Sequence, residues 1–290
     1  MQVLNRDYIV GKLKSNRFNF NLEERPIIVV LRETAKDLSK LEDNGENICD
    51  TIILMDTKNF IVVSGRSFAH KKYQINFMKG GEGCNRIASS YVPKAWVKGL
   101  HKKYRALRQN VNFYIWRSQD LIWGNKDDTV KLDIVGDNFH ALAPWSAGCV
   151  TVQGYPQQPD KYPGGIRGDW KIVDNYLYNI KKNTQYFDAC ILERKDVEMN
   201  YPVALRIGST GIDVWNLQKL LKITVDGDFG PKTFEALRKW QSGNGFFPDG
   251  IAWPEVLEKI GFNKITIVWG KSIFEDAMAS FNDALKNRLT

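Results

Sequence analysis

The stretch that decides the fold of the last third of the chain is Asp213-Val214-Trp215-Asn216-Leu217-Gln218-Lys219-Leu220-Leu221-Lys222. Its apolar residues at 214, 217, 220 and 221 have the spacing of one helix face. Two further helices are predicted over 231–240 and 254–260, each beginning with a proline, which fits the first helical turn. Because helices this short cannot bury an apolar stripe alone, the three are predicted to pack on one another.

The same region contains a repeated turn. The first copy, which starts at residue 226, is Asp226-Gly227-Asp228-Phe229-Gly230-Pro231. The second, which starts at residue 249, is Asp249-Gly250-Ile251-Ala252-Trp253-Pro254. In both copies Asp-Gly supplies a tight turn and the proline opens a helix. Because each copy of the turn stands directly before a predicted helix, duplication of a helical hairpin is favoured over two unrelated helix starts.

Residues 203–262 resemble the three-helix peptidoglycan-binding domain that is common in cell-wall hydrolases. The resemblance rests on Leu205–Leu221, the Asp-Gly-x-Phe-Gly-Pro-x-Thr turn, Lys239-Trp240-Gln241 and the second Asp-Gly turn. The loop between Leu221 and Val225 is shorter than is usual in that family. The resemblance implies that this domain holds the protein on an acidic glycan-peptide polymer.

The chain before about residue 195 has the pattern of an α+β domain dominated by strands. Two strands are predicted within 51–64 around an Asp56–Asn59 turn, and further strands at 111–116 and 130–135. Residues 154–168 are rich in Gly and Pro and predict a loop, followed by a helix near 170–182.

Residues 95–109 mix apolar and basic residues at helical spacing and predict a helix. The basic side chains of 94–108 raise the possibility of a nucleic-acid face, but no nucleic-acid motif accompanies them. We favour a solvated cationic surface that attracts wall polymer, and expect no nucleic-acid partner. The whole chain has 41 Lys and Arg against 33 Asp and Glu, a formal charge of +8 that suits an anionic partner.

One histidine and one cysteine stand out as candidate catalytic residues. His140 follows a predicted strand, and Cys149 lies nine residues later across a loop that contains Pro144. A base near a thiol is what a cysteine nucleophile needs, and the backbone amides around Gly148 and Cys149 are suited to stabilise an oxyanion. Cys84 is a glycine-flanked rival. His70 and His101 are expected to be exposed, and the remaining cysteines to be buried apolar residues.

With four scattered cysteines, three histidines, no C-x-x-C and no H-E-x-x-H, we expect no metal site, no disulfide framework and no cofactor.

The residues around Cys149 carry a second resemblance. Ser146-Ala147-Gly148-Cys149 is similar to the Ser-His-Gly-Cys signature of the L,D-transpeptidase (YkuD-like) catalytic domain, a β-rich fold that acts on wall peptides. It implies that Cys149 is the nucleophile and His140 its base, oriented by a backbone carbonyl that we place at Ala141. Trp145 and Ser146 are expected to line the entrance, with core packing and a turn hydrogen bond as their alternative roles.

This sequence departs from that family at several positions. Ala147 stands in place of the signature's histidine, Thr151 in place of Asn or Arg, and the His140–Cys149 loop is short. The Trp-Ser-Ala-Gly-Cys form is similar to that of phage lysis proteins. Asp137 is an alternative partner for His140, although its place after Gly136 also fits a turn.

These patterns together predict three regions. They are a β-rich cysteine catalytic domain over 1–198, a peptidoglycan-binding domain over 203–262 and a C-terminal extension over 263–290 that contains an amphipathic helix. The polar stretch Glu193–Pro202 is predicted as the linker. The apolar stripe within 272–289 is expected to dock on a domain, because its polar face mixes Asp and Glu with Lys and Arg, which argues against a membrane surface.

The expected function is that of a phage endolysin-like peptidoglycan hydrolase that cleaves stem or cross-link peptides through a Cys-His thioester mechanism. The alternatives are an L,D-transpeptidase that forms cross-links and a catalytically inert wall-binding or virion protein. No signal peptide or membrane span is recognised. We therefore expect a protein without stable membrane insertion that is made in a host cytoplasm and acts on the periplasmic or wall peptidoglycan after release. We also expect it to be a monomer.

Overall fold

A computed structural model of the chain describes residues 3–73, 84–118, 128–158, 160–198 and 204–262. These residues form two compact units. The first comprises residues 3–9 and the described part of 21–199, and the second comprises Val10–Phe20 and the described residues from 204 onward. The predicted C-terminal amphipathic helix lies outside the described residues.

The first unit is built on a closed barrel of eight strands, with a separate three-stranded sheet. In chain order the strands are β1 (Ile27–Leu31), β2 (Asp50–Met55), β3 (Phe60–Arg66), β4 (Cys84–Ile87), β5 (Ser90–His101), β6 (Tyr104–Gln109), β7 (Phe113–Ser118), β8 (Thr129–Asp133), β9 (Phe139–Ala141), β10 (Val150–Val152) and β11 (Tyr186–Leu192). The barrel runs β1-β11-β5-β6-β9-β10-β3-β2, and the small sheet runs β4-β7-β8.

The helices are α1 (Arg6–Ser15), α2 (Asp169–Asn175), α3 (Arg194–Glu198), α4 (Ile212–Leu220), α5 (Pro231–Gly243) and α6 (Pro254–Ile260). The chain continues from α2 into a π-helical turn over Tyr176–Ile180. The protein is therefore of mixed α+β class, as predicted. Among the described residues, no helix has the length and apolar character that a membrane span requires.

The core of the first unit is built from barrel strands, from β4 and β7 of the small sheet, and from α2. Every residue of β1, Ile-Ile-Val-Val-Leu, is buried, as fits a strand paired on both sides by β2 and β11. Trp170 of α2 packs beside Phe139 of β9, with ring centroids 6.1 Å apart. Burying a large apolar side chain contributes about 1.5–3 kcal/mol, so this cluster holds β9 firmly against the core.

The predicted strands within 51–64 are confirmed as β2 and β3, but the helix predicted over 95–109 is wrong. That segment is the antiparallel hairpin β5–β6, in which His101 pairs with Tyr104. Lys102 and Lys103 form its two-residue turn, both with positive φ (46° and 76°). Hairpin turns of this kind usually contain Gly or Asn, so a turn made of two lysines is not recognisable from the sequence. Pairing of β5 with β11 and of β6 with β9 outweighs the local helical spacing.

The predicted linker at 193–202 begins inside the first unit. The Glu193 carboxylate lies 2.6 Å from both Arg32 Nη1 and Arg86 Nη2, and α3 follows directly. Burial opposes ionisation of Glu193, but the two guanidinium groups hold its pKa at about 2. Glu193–Glu198 is therefore structured, and the predicted linker's residues 199–202 lie outside the described residues.

The second unit confirms the three predicted helices and their repeat. Gln218 of α4 donates from Nε2 to Asp226 Oδ1 at 2.7 Å, and its Oε1 accepts from the Gly227 amide at 2.9 Å. Gln241 of α5 makes the same two bonds, at the same distances, with Asp249 and Gly250. Each repeated turn is thus held by a buried glutamine from the preceding helix, which is what duplication of a hairpin predicts.

Candidate functional site

The two candidate catalytic residues lie on adjacent parallel strands. His140 of β9 is paired with Thr151 of β10, and Cys149 immediately precedes β10. Side chains along a strand alternate between faces, so Cys149, two residues before Thr151, lies on the same face as His140. The neighbouring Phe139 and Val150 belong to the core. The short loop therefore does not separate Cys149 from His140, because strand pairing brings them together.

Both residues line a cleft of about 950 Å³ in the first unit. Trp145 and Ser146, predicted to line its entrance, lie along its wall. Trp145 is 50% exposed, its ring lies 4.4 Å from the His70 ring, and Lys72 Nζ lies 3.9 Å from its centroid. His70 is buried against Trp145, so its predicted exposure is wrong.

The His140 ring is held in one orientation by its surroundings. Nδ1 lies 2.5 Å from the carbonyl oxygen of Ala141, the group that we expected to orient it, and 3.2 Å from the Tyr104 hydroxyl. Because a carbonyl only accepts, Nδ1 carries the proton and Nε2 is left as the basic nitrogen. Burial and the nearby His101 lower the pKa of His140 to about 3, so the imidazole is neutral at physiological pH.

The Cys149 thiol is also uncharged in this arrangement. Sγ lies 3.4 Å from the Asn138 amide nitrogen and 3.6 Å from the Gly136 carbonyl oxygen. Burial and the Asp137 carboxylate raise the pKa of the thiol to about 12. The cleft thus contains a neutral thiol and a neutral imidazole, which suits general-base activation during attack better than a preformed ion pair.

Gly148 is required by close packing on both sides. A Cβ at this position would lie 2.3 Å from Asn85 Cβ and 2.9 Å from Asp137 Oδ1. Its amide donates to Ser146 Oγ at 3.0 Å, so the predicted oxyanion role requires that bond to open. Ser146 itself is buried and makes the turn hydrogen bond that was its alternative role.

Asp137 is not the group that orients His140. Its Oδ1 accepts from Asn85 Nδ2 at 3.1 Å, and its backbone carbonyl accepts from Trp96 Nε1 at 3.0 Å. Burial raises the pKa of Asp137 to about 6. Its place is therefore behind Gly148, where it affects the thiol and not the imidazole.

Sequence reasoning missed two residues of the site, His101 and Tyr104, which the β5–β6 hairpin brings to the cleft. His101 is half-buried with its ring stacked on His140, so its predicted exposure is wrong. The sequence signal for this strand is the run Tyr104-Arg105-Ala106, in which apolar and charged residues alternate with the period of a strand.

The rival nucleophile Cys84 lies elsewhere, in β4 of the small sheet, where it pairs with Ser118. It is buried, and burial raises its pKa to about 11. Cys49 and Cys190 are also buried, and none of the four cysteines forms a disulfide. Within the described residues, no group of three or more His, Cys, Asp or Glu side chains is placed to hold a metal ion.

Comparison with known families identifies one region of the chain. Residues 214–260 match the family described as "Putative peptidoglycan binding domain". The second unit thus carries a peptidoglycan-binding domain, and peptidoglycan is a binding partner that this match supports. No curated protein and no solved structure matches the chain.

The peptidoglycan-binding domain carries aromatic side chains that reach its surface. Trp240 and Phe246 stack at the end of α5 with centroids 5.9 Å apart, and the adjacent Phe247 is exposed. On α4, Lys219 Nζ lies 3.4 Å from the Trp215 ring centroid. Partly exposed rings of this kind offer a flat apolar surface to a bound polymer.

Proposed function

We propose that the protein is a cysteine-dependent peptidoglycan peptidase, similar to a phage endolysin, whose first unit cleaves wall peptides while the second holds it on the polymer. The observation that carries the proposal is the placement of Cys149 and His140 on one face of paired strands, beside a cleft of about 950 Å³. The resemblance of residues 146–149 to the L,D-transpeptidase signature supports the choice of substrate.

The chemistry follows from the protonation states. Cys149 Sγ attacks the carbonyl carbon of a peptide bond while His140 Nε2 takes the thiol proton. His140 returns that proton to the departing amine, which leaves a thioester on Cys149. Water, deprotonated by the same nitrogen, then cleaves the thioester, releases the carboxylic acid and restores the thiol. The Ala141 carbonyl stabilises the imidazolium formed in each half-reaction through Nδ1–H.

The charge of the cleft suits a wall peptide. Among the described residues, four cations line it: Lys72, Lys102, Lys161 and Arg167. The carboxylate of Asp169 is the one acidic group in the described lining, and it pairs with Lys36 at 3.2 Å. Stem peptides carry free carboxylates, so a cationic cleft attracts them. The formal charge of +8 adds a general attraction to the acidic wall, where such an enzyme acts after release from the cell that makes it.

The proposal is tested with purified sacculi. We expect the wild type to release muropeptides with hydrolysed stems or cross-links, identified by mass spectrometry, and Cys149→Ala to bind the sacculi and release none. Cys84→Ala is the matched control, because it removes a buried free thiol outside the cleft and is expected to keep activity. If Cys149→Ala releases the same products as the wild type, the proposed nucleophile is wrong.

A second candidate function is that of an inert wall-binding protein. It is favoured by the raised pKa of Cys149 and by the engagement of the Gly148 amide with Ser146. In the same assay it predicts binding without any product from either protein. New cross-links or exchanged D-amino acids that depend on Cys149 identify the third possibility, an L,D-transpeptidase.

A further inference from the structure

The tip of the β5–β6 hairpin places a second imidazole against the proposed base. The rings of His101 and His140 are stacked, with centroids 4.4 Å apart and an interplanar angle of 11°. Both rings line the cleft together with Cys149. Two imidazoles and one thiol therefore line the same cleft, and the hydrogen bonds of each ring show which of the two is suited to serve as base.

The hydrogen bonds around His101 fix its tautomer. Asn138 Oδ1 accepts from the backbone amide of Gln109 at 3.1 Å, so the side-chain amide presents its Nδ2 donor on the other side. Nδ2 lies 3.1 Å from His101 Nδ1, which must accept. The ring proton of neutral His101 is consequently on Nε2.

His140 has the opposite tautomer. Its Nδ1–H donates to the Ala141 carbonyl, and its Nε2 is bare. Both Nδ1 atoms are engaged in these hydrogen bonds. The two Nε2 atoms therefore differ: that of His140 is a basic acceptor, and that of His101 is an N–H donor. His101 cannot take a proton at Nδ1 without breaking its bond to Asn138.

We propose that His101 is a positioning residue: its ring, held by Asn138, fixes the plane of the His140 ring, so that only Nε2 of His140 is able to accept the Cys149 proton. Two imidazolium ions stacked at this distance repel each other strongly, so the pair resists double protonation. The catalytic role of His101 rests on the proposed function, but the tautomers of the two histidines are properties of the protein without substrate.

The groups that face the pair agree with this assignment. They are the Tyr104 hydroxyl of β6, the Cys149 thiol ahead of β10, and the cations Lys102 at the turn and Arg108 of β6. Burial lowers the pKa of His101 to about 4, and Lys102 and Arg108 act in the same direction. Among the described residues, no carboxylate is a cause that shifts the pKa of either histidine. The Ala141 carbonyl raises the pKa of His140, but burial, His101 and Lys102 lower it by more.

The test uses the imidazole nitrogen spectrum of the full chain, which has only three histidines. In long-range 15N–1H correlation spectra at pH 7, we expect His140 as the Nδ1–H tautomer and His101 as the Nε2–H tautomer, both neutral. His101→Phe keeps a planar ring and should preserve the single His140 tautomer. His101→Leu fills a similar volume without a plane, and should give a mixture of the two His140 tautomers.

A wild-type His101 that is protonated on Nδ1, or a His140 tautomer that is unchanged in His101→Leu, overturns the proposal. So does loss of the single tautomer in His101→Phe. The 15N–1H spectra are recorded without any catalytic turnover. The peptidase proposal and the proposed role of His101 can therefore be refuted independently. Inactivity of the wild type on sacculi with the expected spectra removes the peptidase proposal alone, and activity with the wrong tautomers removes only the role of His101.

Discussion

Replacing the buried carboxylate behind Gly148 by an amide tests the electrostatics of the site. Asp137 is 2% exposed, and its Oδ2 has no hydrogen-bond partner among the residues that the structure describes. Burial raises its pKa from 3.8 to about 6. A shift of about two pKa units means that the ionised carboxylate destabilises the fold by about 3 kcal/mol.

The sign of the pH dependence follows from this shift. Because the folded-state pKa is raised, the penalty is complete above about pH 6 and disappears as the pH falls through 3.8. Asp137→Asn removes the penalty but places an N–H₂ donor where Oδ2 has no partner, at a cost of about 1–3 kcal/mol. The variant should therefore be about as stable as the wild type, or more so, at pH 8, and less stable at pH 4.

The measurement is urea unfolding of both proteins at pH 8 and pH 4. We expect the difference in unfolding free energy between variant and wild type to change by about 2–3 kcal/mol between the two pH values. Asp160→Asn, which alters an exposed carboxylate, is the control and should show no such change. A difference for Asp137→Asn that is the same at both pH values within about 0.5 kcal/mol would refute the reasoning.

Three further predictions concern the thiol, the close packing and the wall-binding domain. Alkylation of Cys149 by iodoacetamide should be slow at pH 7 and rise about tenfold per pH unit up to pH 10, because its pKa is near 12; a rate that levels off below pH 8 contradicts this. Gly148→Ala should lower the unfolding free energy by about 1–3 kcal/mol, whereas Gly243→Ala, where an added Cβ meets no atom within 4 Å, should not. Gln241→Ala breaks the bonds to Asp249 and Gly250 and should weaken sacculus binding in a pull-down, with the exposed neighbour Ser242→Ala as control; undiminished binding would show that this turn does not support the binding surface.

The helices of the second unit were predictable because their determinants are local. Apolar spacing, proline at the helix start and Asp-Gly at the turn all act within a few residues, and the three predicted helices are present at nearly the predicted bounds. The inclusion of Val10–Phe20 was not predictable in this way. It depends on contacts across almost 200 positions, such as Ser209 Oγ donating to the Asn16 carbonyl at 2.6 Å.

The hairpin β5–β6 shows the opposite case. Its apolar and basic residues also fit a helix, and only pairing with strands far along the chain selects the extended form. Because the segment was predicted as a helix, His101 and Tyr104 were not placed beside β9, and both were left out of the predicted site. The candidate pair Cys149 and His140 was accessible from sequence, whereas the residues that set the state of His140 were not.

The state of that pair bears on how attack begins. With the pKa of the thiol near 12 and that of the imidazole near 3, proton transfer from Cys149 to His140 is strongly unfavourable before substrate arrives. A peptide carbonyl in the cleft changes this balance, because bond formation to sulfur removes negative charge from Sγ as the proton leaves. Attack and proton transfer must therefore be coupled, and an oxyanion donor must be present at that moment. The Gly148 amide is bonded to Ser146 Oγ, so it supplies that donor only when substrate binding moves the Ser146–Gly148 turn and opens this bond.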